Sequence, residues 1–349
     1  MTVRRRTVVV VALLLACIAV AAVLAGRYLR PPASGTARPL GVMGTETELT
    51  AVCVPARHGV IGEALRQAEA ALRDVEVRMS AYLSASELGR LNDAPPGQVV
   101  QLSAETMRVV HLASTLAAQT DGAFDVTCRP LIDTWRQAGR AKRLPTDEEI
   151  AATLARTGWR NFELLDGGIR KLVDGAGMDL GGIAKGFGID RAIEAMRQAG
   201  ATGGLVNVGG DVACFGRRQD GRAWRIAVQS PFDASAIAVL ELTDGAVCTS
   251  GNYRRFVEIA GKRYGHIVDP RTGRPAEMTP SVTVTAPTAV TADAWATALS
   301  VLGRAGLDRI PAGSGLEVML VLGQPGDYRL HATEGLRRML VEQPPGLED

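Results

Sequence analysis

The chain has 349 residues, of which 46% are hydrophobic and 22% charged, so disorder is excluded as its main state. Aromatics make up only 4%, and 39 Lys and Arg stand against 37 Asp and Glu, so no nucleic-acid partner is expected. The formal charge of +2 is unevenly spread. Arg4, Arg5, Arg6, Arg27 and Arg30 lie in the first 30 residues, which hold no acid, and the rest of the chain carries about −3.

Residues 1–30 read as a signal peptide or a signal anchor. Thr7 to Gly26 is a run of 20 residues without a charge. At about 1.5 Å per helical residue it reaches about 30 Å, the thickness of a bilayer core. The three arginines before it favour a cytoplasmic N-terminus. Val23-Leu24-Ala25 offers a small-residue cleavage site, whereas the length of the run and the arginines after it favour retention. Residues 31–39 (PPASGTARP) read as a linker. Residues 40–349 read as one globular domain lying outside the cytoplasm.

Within that domain the spacing of Ile61, Ala64, Leu65, Ala68, Leu72 and Val75 predicts a helix over Val60–Met79. Ser103 as N-cap opens a second over Ser103–Thr120, and Thr146-Asp147-Glu148-Glu149 is a capping box for a third. A fourth runs over Lys185–Ala199 and stops at Gly200, and a fifth covers Val290–Gly303. Short β-like runs are Leu205–Val208, Trp224–Val228, Ala236–Leu242, Arg255–Ile259, Val282–Thr285 and Val318–Leu322. Helices dominate the first half and strands the second, which predicts an α+β fold with mixed sheets and flanking helices. Cys53, Cys128, Cys214 and Cys248 stand singly, without a CxxC pair. They read as isolated buried thiols, or as two bridges in an oxidising compartment.

Three segments carry chemistry. Asp179-Leu180-Gly181-Gly182-Ile183-Ala184-Lys185 brackets a Gly-rich turn between a carboxylate and an ammonium and leads into a helix, whose N-terminus favours an anion. It matches neither GxxxxGK[ST] nor GxGxxG. His266 precedes the turn Asp269-Pro270-Arg271-Thr272-Gly273, where Pro270 should end the strand, and a His there can move a proton near neutral pH. Asp293 and Thr297 are i and i+4 on the fifth helix, and so share one face as hard oxygen donors suited to Mg²⁺. Gly-bearing turns at Thr120–Asp125, Asn207–Asp211 and Thr249–Tyr253 read locally as turn chemistry.

Taken in order, Met43-Gly44-Thr45, MSAYLSASELGRLN from Met79, GAFDVTCRPL from Gly122, DLGGIAKGFGID from Asp179, NVGGD from Asn207, TSGNY from Thr249, HIVDPRTGRP from His266 and ADAWATAL from Ala292 resemble the ApbE family of FAD:protein FMN transferases. The resemblance spans Met43 to Gly303. It implies that FAD is a substrate and Mg²⁺ a cofactor, with Mg²⁺ on the pyrophosphate. It assigns flavin contacts to Met43, Tyr82, Ala123, Phe124, Asp125, Asp179, Lys185 and Ile267. Metal ligands would be Asp293, Thr297 and the backbone carbonyl of Gly182, with Lys185 adding positive charge nearby. His266, or a carboxylate such as Asp269, would take the acceptor's proton.

The activity implied is transfer of FMN from FAD to a Thr or Ser hydroxyl of a partner protein, with release of AMP. The chain lacks the family's acceptor motif, D-G-x-[ST]-G-A-[ST]; its nearest echo, Asp244-Gly245-Ala246-Val247, has no hydroxyl at the acceptor position. The partner is therefore expected to be another protein, a membrane-associated redox subunit. Two other readings use the same residues: a Mg²⁺-dependent FAD pyrophosphatase yielding FMN and AMP, and a non-catalytic flavin-binding assembly factor of a membrane redox complex.

Overall fold

A computed structural model describes residues 12–23, 31–55, 57–233, 235–251, 256–276 and 279–348. Residues 1–11 and 24–30 of the expected export segment lie outside them; residues 12–23 are helical and exposed. Among the described residues no helix is long and apolar enough to cross a membrane.

The frame is an eight-stranded sheet. Its order is Ala33–Ala37, Thr47–Cys53, Gly203–Val208, Asp211–Phe215, Gly245–Gly251, Ser281–Ala286, Glu317–Gln324 and Asp327–Ala332, with every neighbour antiparallel. Both faces are covered, and the period-two alternation of strand side chains shows how. Ala246, Cys248, Val318 and Leu320 face one core, shared with the helices His58–Met79, Ala184–Gln198 and Ala289–Leu302. Val247, Met319 and Val321 face a second core, under the hairpin Trp224–Gln229/Ala236–Leu242 and the short helix Glu334–Met339. Leu49, Leu72, Leu240 and Leu320 are fully enclosed, and burial of each such side chain contributes about 1.5–3 kcal/mol.

The α+β expectation holds. All five predicted helices are present and start within two residues of their predicted starts, Ser103 accepts from the Thr106 N–H, and the Thr146/Glu149 capping box is complete. The stretch read as a linker differs: Ala33–Ala37 within it pairs in register with Thr47–Cys53 as the edge of the sheet. Its small side chains suit an edge lying against the helix His58–Met79 better than a free tether. Three further helices, Glu87–Asp93, Arg129–Ala141 and the C-terminal Glu334–Met339, are ones that the sequence pattern did not predict. The cysteines are free thiols, with Cys53, Cys214 and Cys248 buried.

Candidate active site

The cleft forms where two helix N-termini meet the sheet. The turn after Asp179 is closed by the Gly181 N–H donating to Asp179 Oδ1 (2.8 Å), and the helix Ala184–Gln198 starts directly behind it. This helix and Ala289–Leu302 cap each other. Asp293 Oδ2 accepts from the Gly186 N–H at 2.9 Å, and Asp190 accepts from the N–H groups of Ala289 (2.7 Å) and Val290 (2.9 Å). Each carboxylate thus satisfies amides that a helix start leaves orphaned. Gly186 makes the contact possible, because a Cβ there would stand 2.2 Å from the Ala289 carbonyl oxygen.

Lys185 reaches between Asp211 and Asp293, bonding Asp211 Oδ2 and lying 3.4 Å from Asp293 Oδ1. Asp211 Oδ1 also accepts from the Thr249 N–H at 3.0 Å. Asp211 and Asp293 are 3% and 2% exposed and the Lys185 side chain 27%, so two buried carboxylates meet one ammonium that still faces the cleft. Burial works to lower the Lys185 pKa, but Asp211 and Asp293 outweigh it and hold the amine well above its usual range. Burial pushes the Asp293 carboxyl up, to about 6, against the pull of Lys185. Positive charge is short by one at this spot.

Of the thirteen residues singled out from sequence, eleven line one cleft: Tyr82, Ala123, Phe124, Asp125, Asp179, Gly182, Lys185, His266, Ile267, Asp293 and Thr297. Met43 does not. It sits at positive φ (50°) with its sulfur against Gly188, packed on the core behind the cleft wall. Lys185 lines the cleft, but its charge is already matched by Asp211 and Asp293 rather than free for an anion. Asp269, the alternative proton acceptor, is absent from the lining. Its carboxylate accepts from the Arg271 N–H, Nε and Nη2, each at 2.9 Å, and its carbonyl accepts from the Gly273 N–H at 2.8 Å to close the turn. The strand does stop at Asp269, as Pro270 requires.

The residue missed is Asp211. Read as the end of a Gly-Gly turn, it proves to be the principal partner of Lys185. A second omission is the helix Arg129–Ala141, whose Ile132, Trp135 and Arg136 form one wall. Trp135 Nε1 donates to the Gly273 carbonyl at 2.8 Å and so ties this wall to the turn after His266. Tyr82, 60% exposed, stands at the mouth. Its hydroxyl donates to Asp179 Oδ2 at 3.1 Å and accepts from Arg136, and the guanidinium groups of Arg129 and Arg136 lie 5.1 and 4.8 Å from its ring centre. Burial and the Asp179 charge push the Tyr82 hydroxyl pKa up, which keeps it a donor. Asp125 is held by the Thr127 N–H at 2.8 Å, and burial raises its pKa.

The donor set fits a hard divalent cation. Asp293 and Thr297 share a helix face, and a Cβ added at Gly182 would lie 3.2 Å from Thr297 Oγ1, so only the Gly182 backbone can join them. Ser250 Oγ is 3.4 Å from Thr297 Oγ1. Among the described residues no three His, Cys, Asp or Glu side chains converge as a closed metal cluster. An ion here would complete its shell with ligand or water oxygens, as Mg²⁺ does at phosphate sites.

Fold and cleft together suit an anionic ligand brought in with a hard cation. Comparison with known proteins gives the family. The profile of the ApbE family matches residues 43–320, and the chain belongs to that family. It is 38% identical to the FAD:protein FMN transferase of Vibrio cholerae over 237 residues, covering 66% of this chain and 71% of that protein. It is 34% identical to the FAD:protein FMN transferase of Escherichia coli over 251 residues, covering 69% and 72%. Among solved structures, the flavin transferase ApbE of Vibrio cholerae superposes with a TM-score of 0.77 at 30% identity, over 89% of this chain and all of that one. The ApbE protein of Thermotoga maritima superposes at 0.79, with 30% identity and the same coverage.

Proposed function

We propose that this chain is an FAD:protein FMN transferase that moves FMN from FAD to a Thr or Ser hydroxyl of a partner protein and releases AMP. The observation that carries the reading is the gathering of eleven dispersed motif residues into one cleft, in a chain whose relatives bear that name. Asp293, Thr297 and the Gly182 carbonyl would hold Mg²⁺. When bound, the ion supplies neutralisation of the pyrophosphate charge, the main need of phosphoryl transfer.

The protein's own residues do the rest. The Asp179–Tyr82–Arg136 network and the Phe124 wall orient the dinucleotide. Asp211 keeps Lys185 paired, so the Lys185 ammonium holds the Asp293 carboxylate in place. The acceptor oxygen bonds to the phosphorus on the FMN side as the bridging P–O bond breaks, and the bridging oxygen leaves with AMP. His266, exposed on the cleft rim, takes the hydroxyl proton. The N-terminal segment would hold the enzyme at the inner membrane with the cleft outside the cytoplasm, where a membrane redox subunit is within reach.

The test is incubation of the full chain with FAD, Mg²⁺ and a protein carrying D-G-x-[ST]-G-A-[ST]. Flavin fluorescence on the denatured acceptor with equimolar AMP, abolished by a chelator and restored by Mg²⁺, is expected. FMN and AMP appearing at a rate indifferent to the acceptor, with no labelled protein, would replace the transferase by a pyrophosphatase.

A further inference from the structure

The helix Arg129–Ala141 buries Leu131, Trp135 and Ala138 against the hairpin Phe256–Ile259/Lys262–Gly265. Its opposite side is basic. Arg129, Arg136 and Arg140 are spaced seven and four residues apart, so they fall on one face. Between 129 and 143 there are five basic residues and one acid, Asp133, although the chain beyond residue 30 is acidic overall.

Internal pairing does not use up this charge. Arg129 pairs with Asp133 at 2.7 Å and with Asp179 at 3.9 Å, Arg136 with Asp133 at 3.6 Å and Arg143 with Glu149 at 2.5 Å, so the surplus lies at the outer end of the stripe. Arg140 and Lys142 are exposed and form no ion pair among the described residues. The stripe is also placed: Arg136 lines the cleft beside Tyr82, and Arg140 lies one turn further out. A partner bound along it is led to the cleft mouth.

We infer that this stripe docks an acidic segment of the acceptor protein next to its modified hydroxyl. The inference rests on the flavin-transfer reading and names the partner's chemistry at that site. Steering by exposed charge acts on encounter and KM more than on the chemical step, and it is screened by salt.

The experiment uses the full chain with FAD, Mg²⁺ and two synthetic peptides sharing one acceptor motif, flanked by Asp and Glu in one and by Asn and Gln in the other. At low salt the acidic peptide should show a KM about tenfold lower at similar kcat, a gap that closes in high salt. Arg140→Glu should erase the preference and Arg140→Lys should keep most of it, with FAD binding, followed by flavin fluorescence, as the check that the cleft is intact. Equal KM values for the two peptides, or a preference that survives Arg140→Glu, overturn the inference. So does an Arg140→Glu effect seen only as lost cosedimentation of the full chain with phosphatidylglycerol vesicles, which would assign the stripe to a membrane surface. Failure of both peptides to take up flavin is a separate result and overturns the transfer reading itself.

Discussion

The two ends of the cleft hold charge in opposite ways. At the deep end Asp211 and Asp293 are enclosed while Lys185 stays partly open to the cleft, and each is fixed by another of the three or by a backbone amide. At the mouth Arg129 and Arg136 lie against the ring of Tyr82, with Arg136 still 41% exposed. Charges in a low-dielectric place are strongly coupled to their partners, so the deep end tolerates no unmatched change. Charges at the rim are screened and can be altered in small steps. The difference separates the part of the cleft built to hold a reacting group from the part built to admit and orient molecules.

Asp293→Ala should have the largest effect. Transfer should fall by about 100- to 1,000-fold, the scale of losing a preorganised electrostatic group. The fold should persist with a stability loss of about 0.5–2 kcal/mol for the uncapped Gly186 amide, because Lys185 stays matched by Asp211; circular dichroism and a flavinylation assay report the two halves, and near-normal activity would reject the metal-site assignment. Gly186→Ala should come next. It forces a Cβ towards the Ala289 carbonyl and should lower unfolding free energy by about 1–3 kcal/mol in urea titrations, with activity lost in step as the two helices separate.

Arg136→Ala, at the mouth, should be milder. A cation stacked on a half-exposed ring is worth about 0.5–1 kcal/mol, so KM for FAD should rise about two- to fivefold with little change in kcat. A kcat loss as large as that of Asp293→Ala would erase the contrast between the ends. A last prediction touches stability rather than transfer and concerns Asp190, whose carboxyl burial pushes up to about 6. An acid whose folded pKa exceeds its unfolded value of about 3.9 loses native stability as pH rises through the folded value. Relative to Asp190→Asn, the wild type should therefore lose thermal stability between about pH 4 and pH 6 and hold a constant offset above that. A constant offset throughout would contradict the assigned burial effect.

Much of this was readable in the sequence where the signal is local. The capping box at Thr146, the N-cap at Ser103 and the i, i+4 pairing of Asp293 with Thr297 need only their own neighbours. The sheet was harder. Thr47–Cys53 and Asp211–Phe215 are short runs rich in small residues, and they become strands through partners far along the chain: Thr47–Cys53 pairs with Gly203–Val208. Asp211 shows the same limit within the site. Its neighbours suggest a turn, and only the fold brings it to Lys185, 26 positions earlier. The helix Arg129–Ala141 was legible in principle, since Leu131, Trp135 and Ala138 fall at i, i+4 and i+7 behind Pro130 near its start. Met43 marks the converse case, a residue carried over with its motif whose side chain packs on Gly188 instead of facing the cleft.

The crossed caps at Gly186 and Ala289 have a thermodynamic consequence. Asp293 caps a helix start and, in the proposed reading, also holds the ligand's cation, so whatever occupies that site would draw on the carboxylate that fastens the two helices. Ligand uptake and folding are then linked functions. FAD with its cation should raise the unfolding free energy with the logarithm of its excess over Kd, by about 2.7 kcal/mol at a hundredfold excess, and the melting temperature with it. The substrate thereby acts as a stabiliser of the enzyme that consumes it.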